Sequence, residues 1–314
     1  MEEYINSRYE STAFINGPKS EDGSKIQVLF ENRKNNENNE NDILFSIVMP
    51  IHNQEKIILD NVTSVLNNTT EKSYELILIL DSCSDNSESI LLNYFSLYNF
   101  SENKLLCKLL ILKSETPLFE TSADNLGFYC SSGKYCLEIQ ADMKMTELGY
   151  NMKLLIPFLK DENIIGISGR CCHGFINHWG VGKLGRGVEK KIEELGNIDK
   201  NCYYIHETCN RGPLLLDKEK LKELGYLDEV NYFLDNSDHD LFMRANVLKN
   251  WSCGYVPIEF ESNLEHGSTR KPRNKLNQRY YELKRASTKN GENGFIKKNE
   301  NKFYNTSSIK TFQL

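Results

Sequence analysis

Polar side chains that could bind a ligand or accept a proton lie at the ends of three apolar runs. The runs are residues 44–50, 74–80 and 135–140, and each is typical of a buried β-strand. The polar residues at their ends are Asn53, Glu55, Asp81, Asp85, Gln140 and Asp142, and Pro50 precedes the first of them. In an open α/β sheet, ligands bind outside the carboxyl ends of the strands, so we expect these residues to line one crevice.

Apolar runs alternate with amphipathic stretches from residue 43 onward, which predicts strand–helix–strand units and a mainly parallel sheet. The runs at 44–50 and 74–80 are apolar on both faces, as strands covered by helices on both sides should be. The sequence therefore predicts an α/β fold of three layers. The predicted strands are 44–50, 74–80, 108–113, 135–140, 164–168 and 255–258, and the predicted helices are 57–67, 87–98, 122–131, 188–195, 218–224 and 238–248.

Several segments between residues 44 and 268 resemble, in the right order, the family 2 glycosyltransferases of GT-A fold. They are SIVMPIHNQE (46–55), YELILILDSCSDNS (74–87), ADNLG with SSGKY (123–127 and 131–135), CNRGP with LKELGYLDE (209–213 and 221–229), and SDHDLFMR (237–244). The resemblance implies a Rossmann-like GT-A domain. It also implies transfer of a single sugar from a nucleotide-sugar donor.

Ten residues would bind the donor if the resemblance holds. They are Pro50, Asn53, Glu55, Asp81, Asp85, Asp124, Asn125, Gln140, Arg211 and Gly212. Carboxylates at these places would accept hydrogen bonds from the base and the ribose, and a UDP-sugar is the expected donor. For Asp81 and Asp85 the alternative is helix capping, because both stand where a helix is about to begin.

Gln140-Ala141-Asp142 stands at the position of the family's D-x-D motif, with an amide in place of the first carboxylate. The resemblance implies that Asp142 and His266 bind a divalent metal, Mn²⁺ or Mg²⁺, which prefers oxygen ligands and neutralises a diphosphate. Because Gln140 contributes no charge, metal dependence is an expectation that needs a test.

Asp238 aligns with the general base of the inverting members of this family. It would take the proton from an acceptor hydroxyl as that oxygen attacks the sugar. Asp240 is the alternative base, although Arg244 follows four residues later on the same helix face and could pair with it. The acceptor is a glycan, a protein or a lipid-linked molecule.

Two other functions remain open. Gln140 and Ser237 replace acidic residues of the family pattern, which would suit a degenerate GT-A domain that binds a glycan or a protein without catalysis. A sugar nucleotidyltransferase shares the α/β arrangement, but it should carry a glycine-rich basic loop after the first strand. That position reads PIHNQE.

The charges are distributed unevenly along the 314 residues. Residues 270–314 contain 12 Lys and Arg against 3 Asp and Glu, which leaves 26 against 41 in the rest of the chain. We divide the chain into an extension with an Asn/Glu-rich linker (1–42), a catalytic domain (43–268) and a basic tail (269–314). Arg270, Lys271 and Arg273 could close over the diphosphate, and the tail could touch an anionic membrane surface.

Composition excludes several classes of protein. The overall acidity argues against a nucleic-acid binder, and no apolar run reaches the roughly 20 residues of a membrane span. The acidic, polar first 20 residues do not look like a secretory signal, and nine cysteines without a C-x-x-C pair suggest buried thiols. We expect a cytoplasmic protein. Apolar residues at 26–30 could add an edge strand.

Overall fold

The computed structural model describes residues 26–34, 43–175, 183–186, 198–229, 231–234, 236–262, 295–299 and 309–314. Within these ranges ten strands form one sheet, in the order β1-β4-β3-β2-β5-β12-β7-β13-β10-β15. Their bounds are β1 Gln27–Arg33, β2 Phe45–Ile51, β3 Tyr74–Asp81, β4 Leu106–Ser114, β5 Tyr135–Glu138, β7 Ile164–Ser168, β10 Cys202–His206, β12 Leu214–Asp217, β13 Ser252–Tyr255 and β15 Lys310–Gln313.

Two small sheets and seven helices complete the described structure. One small sheet joins β11 (Thr208–Cys209), β8 (Cys171–His173) and β9 (Leu184–Gly185), and the other pairs β14 (Phe260–Ser262) with β6 (Met143–Met145). The helices are α1 Ile58–Asn68, α2 Ser87–Leu97, α3 Phe119–Cys130, α4 Tyr150–Lys160, α5 Lys218–Glu223, α6 Ser237–Lys249 and α7 Phe295–Asn299. None of the helices in the described ranges is long and apolar enough to cross a bilayer.

The helices cover both faces of the main sheet, which confirms the predicted three layers. On one face, β2 contributes Ile47 to a core that also contains Val62 of α1 and Leu154 of α4. On the other face, Val48 packs in a second core with residues of α3 and α6. Neighbouring residues of β2 thus enter opposite cores, because side chains alternate across a strand.

The parallel part of the sheet defines where a ligand should bind. Strands β4, β3, β2 and β5 run parallel in that spatial order, so the chain moves outward in one direction from β2 and later returns to the other side of it. This reversal makes the gap between β2 and β5 a topological switch point. Residues that follow these two strands, around 52–55 and 139–142, lie at that crevice.

Most predicted elements are confirmed within a few residues, and β7 matches its prediction at both ends. The predicted strand 255–258 is wrong in position, because the strand lies at Ser252–Tyr255, where it pairs with β7 and β10. The edge strand expected near 26–30 is present as β1, antiparallel to β4. The helix predicted at 188–195 lies outside the described residues.

The sheet also takes strands from both flanks of the predicted catalytic domain. Strand β1 precedes residue 43, and β15, in the basic tail, pairs antiparallel with β10. The division at residues 42 and 269 stays a prediction. All nine cysteines are free thiols, and seven of them are buried.

Candidate active site

The loop after β2 and the loop after β3 hold each other through side chains. The Asn53 amide oxygen accepts a hydrogen bond from the Ser84 backbone N–H at 2.8 Å. The Glu55 carboxylate accepts one from the Asn86 side chain at 2.8 Å. Asn53 also adopts φ 52°, a left-handed conformation that asparagine tolerates better than most residues. Each loop therefore fixes the shape of the other.

Asp85 joins the same two loops. One of its carboxylate oxygens accepts the Glu55 backbone N–H at 2.9 Å, and the other accepts the Ser87 backbone N–H at 3.0 Å. Pro50 lies in β2 opposite Ile79 and is half-buried. The capping alternative for Asp85 thus describes its contacts in the structure, since Ser87 is the first residue of α2.

Asp81 organises the entry to α3. Its carboxylate oxygens accept the backbone N–H groups of Leu118 at 2.7 Å and Phe119 at 3.0 Å. Phe119 has φ 60°, a conformation that costs free energy for a bulky residue, and the Asp81 contact helps to offset that cost. Asp81 caps a helix, but the helix is α3, which is distant in sequence, and not the one that follows Asp81.

The first turn of α3 reaches the position of the D-x-D motif. The Gln140 amide donates a hydrogen bond to the Glu120 carboxylate at 2.8 Å. Gly212 lies against the other side of Gln140, where a Cβ atom added to the glycine would stand 2.9 Å from the amide oxygen. Gly212 has φ 68°, so glycine is required there both by conformation and by space.

Arg211 is buried among carboxylates at the centre of the site. Its guanidinium donates to Asp124 at 2.6 Å and to the Leu234 carbonyl oxygen at 3.1 Å, and it lies 3.6 Å from Glu120. Burial alone would lower the pKa of Arg211, but the surrounding carboxylates outweigh burial and raise it. Arg211 is therefore a permanent cation in the interior.

Glu138 completes this group from within β5. One carboxylate oxygen accepts the Gly212 backbone N–H at 2.7 Å. The other oxygen of Glu138 and one oxygen of Asp124 have no hydrogen-bond partner among the described residues. Burial raises the pKa of both carboxyls above the ordinary range. Repulsion from Asp124 raises the pKa of Glu138 further, and repulsion from Glu120 does so at both carboxyls.

Asp238 stands next to this cluster, in the first turn of α6. Its carboxylate accepts the Arg211 backbone N–H at 3.2 Å and the His239 backbone N–H at 2.9 Å. Burial would raise its pKa, but His239, Arg211 and the two N–H groups together lower it to about 2. Asp238 is thus a stable carboxylate anion.

Asp240, the alternative base, is engaged elsewhere. Its carboxylate accepts a hydrogen bond from the Arg244 guanidinium at 2.7 Å, and Arg244 also donates to the Tyr226 carbonyl oxygen at 2.8 Å. Burial raises the pKa of Asp240 to about 6, while Arg244 acts to lower it. The pairing that the sequence offered as an alternative role for Asp240 is present.

Asn125 fixes a neighbouring loop through its amide group. Its amide donates to the Leu227 carbonyl oxygen at 2.9 Å and to Glu229 at 3.0 Å, and its oxygen accepts the Leu227 N–H at 3.1 Å. These three bonds satisfy most of what one amide side chain can form. Asn125 therefore serves the fold at this position.

At the end of β5, the described residues include one carboxylate that could bind a metal ion, that of Asp142. Asp142 is partly buried, which raises its pKa, and one of its oxygens lies 3.4 Å from the Ser262 hydroxyl. In the described part of the chain no three His, Cys, Asp or Glu side chains are grouped so as to hold a metal. His266 lies outside the described residues, as do Arg270, Lys271 and Arg273.

Sequence reasoning missed two acidic residues of this site, Glu120 and Glu138. Glu120 lies just before the predicted start of a helix at 122, so its place in the first turn of α3 was not apparent. Glu138 stands in an apolar run, YCLEIQ, where a lone charged residue among buried neighbours was the available signal.

Comparisons with known proteins point to one family. Residues 46–176 match the family model described as Glycosyl transferase family 2. A dolichyl-phosphate beta-glucosyltransferase from Dictyostelium discoideum is 28% identical over 148 residues, which cover 45% of this chain and 43% of that protein. The poly(ribitol-phosphate) beta-N-acetylglucosaminyltransferase TarP from Staphylococcus aureus (strain N315) is 30% identical over 187 residues, 56% of this chain and 51% of that protein. The chain spans about half the length of the curated relatives it matches.

A solved structure supports the fold. The crystal structure of GalNAc-T7 with UDP, GalNAc and Mn²⁺ matches with a TM-score of 0.55 at 14% identity, covering 85% of this chain and 59% of that chain. At this identity the likeness concerns the fold alone. It confirms the predicted α/β architecture of GT-A type.

Proposed function

We propose that the protein is a glycosyltransferase, because residues 46–176 match the family model described as Glycosyl transferase family 2. It moves one sugar from a nucleotide-sugar, foremost a UDP-sugar, to a hydroxyl of a glycan, a protein or a lipid-linked acceptor. The observation that carries the proposal is the placement of Asp238 beside the Arg211–Gly212 loop, which itself packs on Gln140.

The donor would lie across the crevice between β2 and β5. The interlocked loops at 53–55 and 84–87 form the nucleoside end, with Pro50 and Asp81 beneath them. The diphosphate would reach Gln140 and Asp142, and the sugar would meet the Arg211–Gly212 loop, whose glycine lets the backbone pack closely against Gln140. Asp124 and Arg211 support this end of the crevice as an ion pair.

We propose that transfer proceeds with inversion. A carboxylate oxygen of Asp238 takes the proton of the acceptor hydroxyl, whose oxygen forms a bond to the anomeric carbon. On the opposite face the bond from that carbon to the diphosphate breaks, and its electron pair leaves with the nucleoside diphosphate. A positioned general base contributes roughly 10²–10⁴-fold to such a reaction.

Asp142 and His266 are the proposed metal ligands. A divalent ion bound there would neutralise the leaving diphosphate. The proton transfer to Asp238 described above is a step of the chain's own carboxylate and is not routed through this ion. Arg270, Lys271 and Arg273 are proposed to cover the diphosphate.

The test is a transfer assay that follows nucleotide release from UDP-, GDP- and dTDP-sugars, with and without Mn²⁺, in wild type and Asp238→Asn. We expect Asp238→Asn to lose at least about 100-fold in kcat while its donor affinity stays within a few-fold. Exposed Asp60→Asn is the matched control, with activity unchanged. Undiminished transfer by Asp238→Asn would reject the base assignment.

A degenerate GT-A domain that binds without catalysis is the second candidate. The observation that favours it is Ser237, which is buried and lies 3.2 Å from the Thr121 hydroxyl, where the family pattern has a glutamate. Nucleotide binding with no transfer from any donor sugar would support this candidate. A nucleotidyltransferase would instead release diphosphate from a nucleoside triphosphate and a sugar phosphate.

A further inference from the structure

The residue after Asp238 is a buried histidine whose ring is held from two sides. Nδ1 of His239 lies 2.9 Å from the Thr208 hydroxyl and 3.7 Å from a carboxylate oxygen of Asp238. The ring of His173 meets the His239 ring edge to face, with centroids 4.8 Å apart at 84°. Thr208 and His173 are register partners on β11 and β8, so the small sheet fixes both contacts.

Asp238 carries a difficulty for a base. Arg211, two backbone N–H groups and the N-terminal turn of α6 favour its anion, and the charge of a protonated His239 would favour it most. A carboxylate stabilised to this degree is ionised but accepts a proton reluctantly, and a general base works best when its proton affinity suits the working pH. Any further positive charge beside it would weaken it again.

We propose that His239 is a positioning residue for Asp238, and that Asp238 accepts the acceptor's proton only while the imidazole of His239 is neutral. This inference rests on the proposed function. An imidazolium 3.7 Å away would stabilise the carboxylate and oppose proton transfer. A neutral ring keeps its hydrogen bond with Thr208 and holds the first turn of α6 in place. Because it has no charge, it does not stabilise the Asp238 anion against protonation.

Near the pair, burial raises the pKa of Asp124 to about 7 and that of Asp240 to about 6, whereas the neighbouring histidine and thiols keep their charge states near neutral pH. Burial and the proximity of His239 lower the pKa of His173 to about 4, so His173 is neutral. Burial raises the pKa of the Cys171 thiol to about 11, and it also raises the pKa values of the nearby thiols Cys209 and Cys253. The remaining charged neighbours are Arg211, Asp124 and, beside His173, Lys183.

Imidazole is the side-chain group whose charge ordinarily changes in the physiological range, and the imidazole of His239 lies against Asp238. His239 stands at the x of the family's D-x-D-L segment, a position for which the pattern specifies no residue type. The segment reads SDHDL in this chain. The expected consequence is a loss of kcat on acidification that follows the protonation of His239, while binding of the donor is little affected.

His239→Asn tests the proposal, because the asparagine amide can replace Nδ1 as the partner of Thr208 but cannot become a cation. We expect the acidic limb of the kcat profile between about pH 5 and 7 to disappear, with kcat at pH 8 and the donor KM within about fivefold of wild type. His173→Asn is the control and should keep the acidic limb. An unchanged limb in His239→Asn would overturn the proposal, since a merely structural role would lower kcat at every pH alike.

An NMR titration of the His239 ring provides a readout that needs no activity. Removing the neighbouring carboxylate in Asp238→Asn should move the midpoint of His239 to lower pH by at least about half a pH unit, since interacting groups share their titration. An unmoved midpoint would reject the coupling, even if His239→Asn failed to fold. The two proposals can fail separately. If wild type transferred no sugar but the His239 midpoint moved in Asp238→Asn, the proposed function would be rejected and the coupling between Asp238 and His239 would be supported.

Discussion

Arg211 lies among more carboxylates than one cation can neutralise. The pKa values of these carboxyls therefore differ, some lowered and others raised. Asp238 accepts two backbone N–H groups and has its pKa lowered, whereas Glu138 accepts one and has its pKa raised by burial and by Asp124. The charges of His239 and Arg211, together with the two N–H donors, therefore make Asp238 a stable anion, whereas burial and neighbouring carboxylates favour the protonated form of Glu138.

Glu138→Gln should change how stability depends on pH. Because the folded-state pKa of Glu138 is raised, its contribution to the free energy of unfolding is fully present below the unfolded value near 4.3 and is lost as pH rises through the folded value. The glutamine variant has no such loss. Its free energy of unfolding, relative to wild type, should therefore rise between pH 5 and 8 by at least about 1 kcal/mol.

Urea unfolding at both pH values measures this difference. Glu162→Gln, an exposed glutamate on the surface, is the matched control and should follow wild type at each pH. Parallel pH dependence in wild type and Glu138→Gln would contradict the raised pKa.

Helix α3 shows how an element is set by distant residues. The local pattern predicted a start at 122, but the helix begins at Phe119 because Asp81, at the end of β3, binds the N–H groups of Leu118 and Phe119. Local propensity carries no record of such a contact. The strands β2, β3 and β7 could be predicted well because burial on both faces leaves a continuous apolar run.

Gly127→Ala should destabilise the packing of α3 on the sheet. A Cβ atom at Gly127 would stand 2.1 Å from a methyl carbon of Val48 in β2, so helix or strand must shift. Overpacking of this kind costs about 1–3 kcal/mol of unfolding free energy.

A double-mutant cycle in urea unfolding checks the cause. Val48→Ala removes the clashing methyl groups, so Gly127→Ala should cost at least about 1 kcal/mol less in that background than in wild type. Equal costs in both backgrounds would assign the effect to something other than this contact.

The whole molecule is larger than the segment that the family resemblance covers. The motifs located Asp238 and Gln140, because each stands in a recognisable segment. No motif predicted that KTFQ (310–313) would pair with β10, because the segment is short, half polar and distant in sequence from its partner. Pairing between distant strands depends on the assembled sheet, which a local pattern does not contain.

Phe312→Ala should weaken the sheet edge formed by β15. The Phe312 ring stacks on Tyr203 of β10, with centroids 5.0 Å apart and 17° between the planes. We expect a loss of about 1 kcal/mol in unfolding free energy and faster hydrogen exchange of the β10 amides. Lys310→Ala, on the same exposed strand, should leave both nearly unchanged, and equal effects of the two variants would argue against the stacking contact.

The bond between Gln140 and Glu120 makes the residue at position 140 dependent on the first turn of α3. Restoring an aspartate at 140 would remove the amide that donates to Glu120 and would bring a further negative charge to a group that already contains Asp124 and Glu138. An aspartate at position 140 would therefore be harmful unless Glu120 changed with it. A charge introduced at position 140 would have to be accompanied by a compensating substitution at position 120.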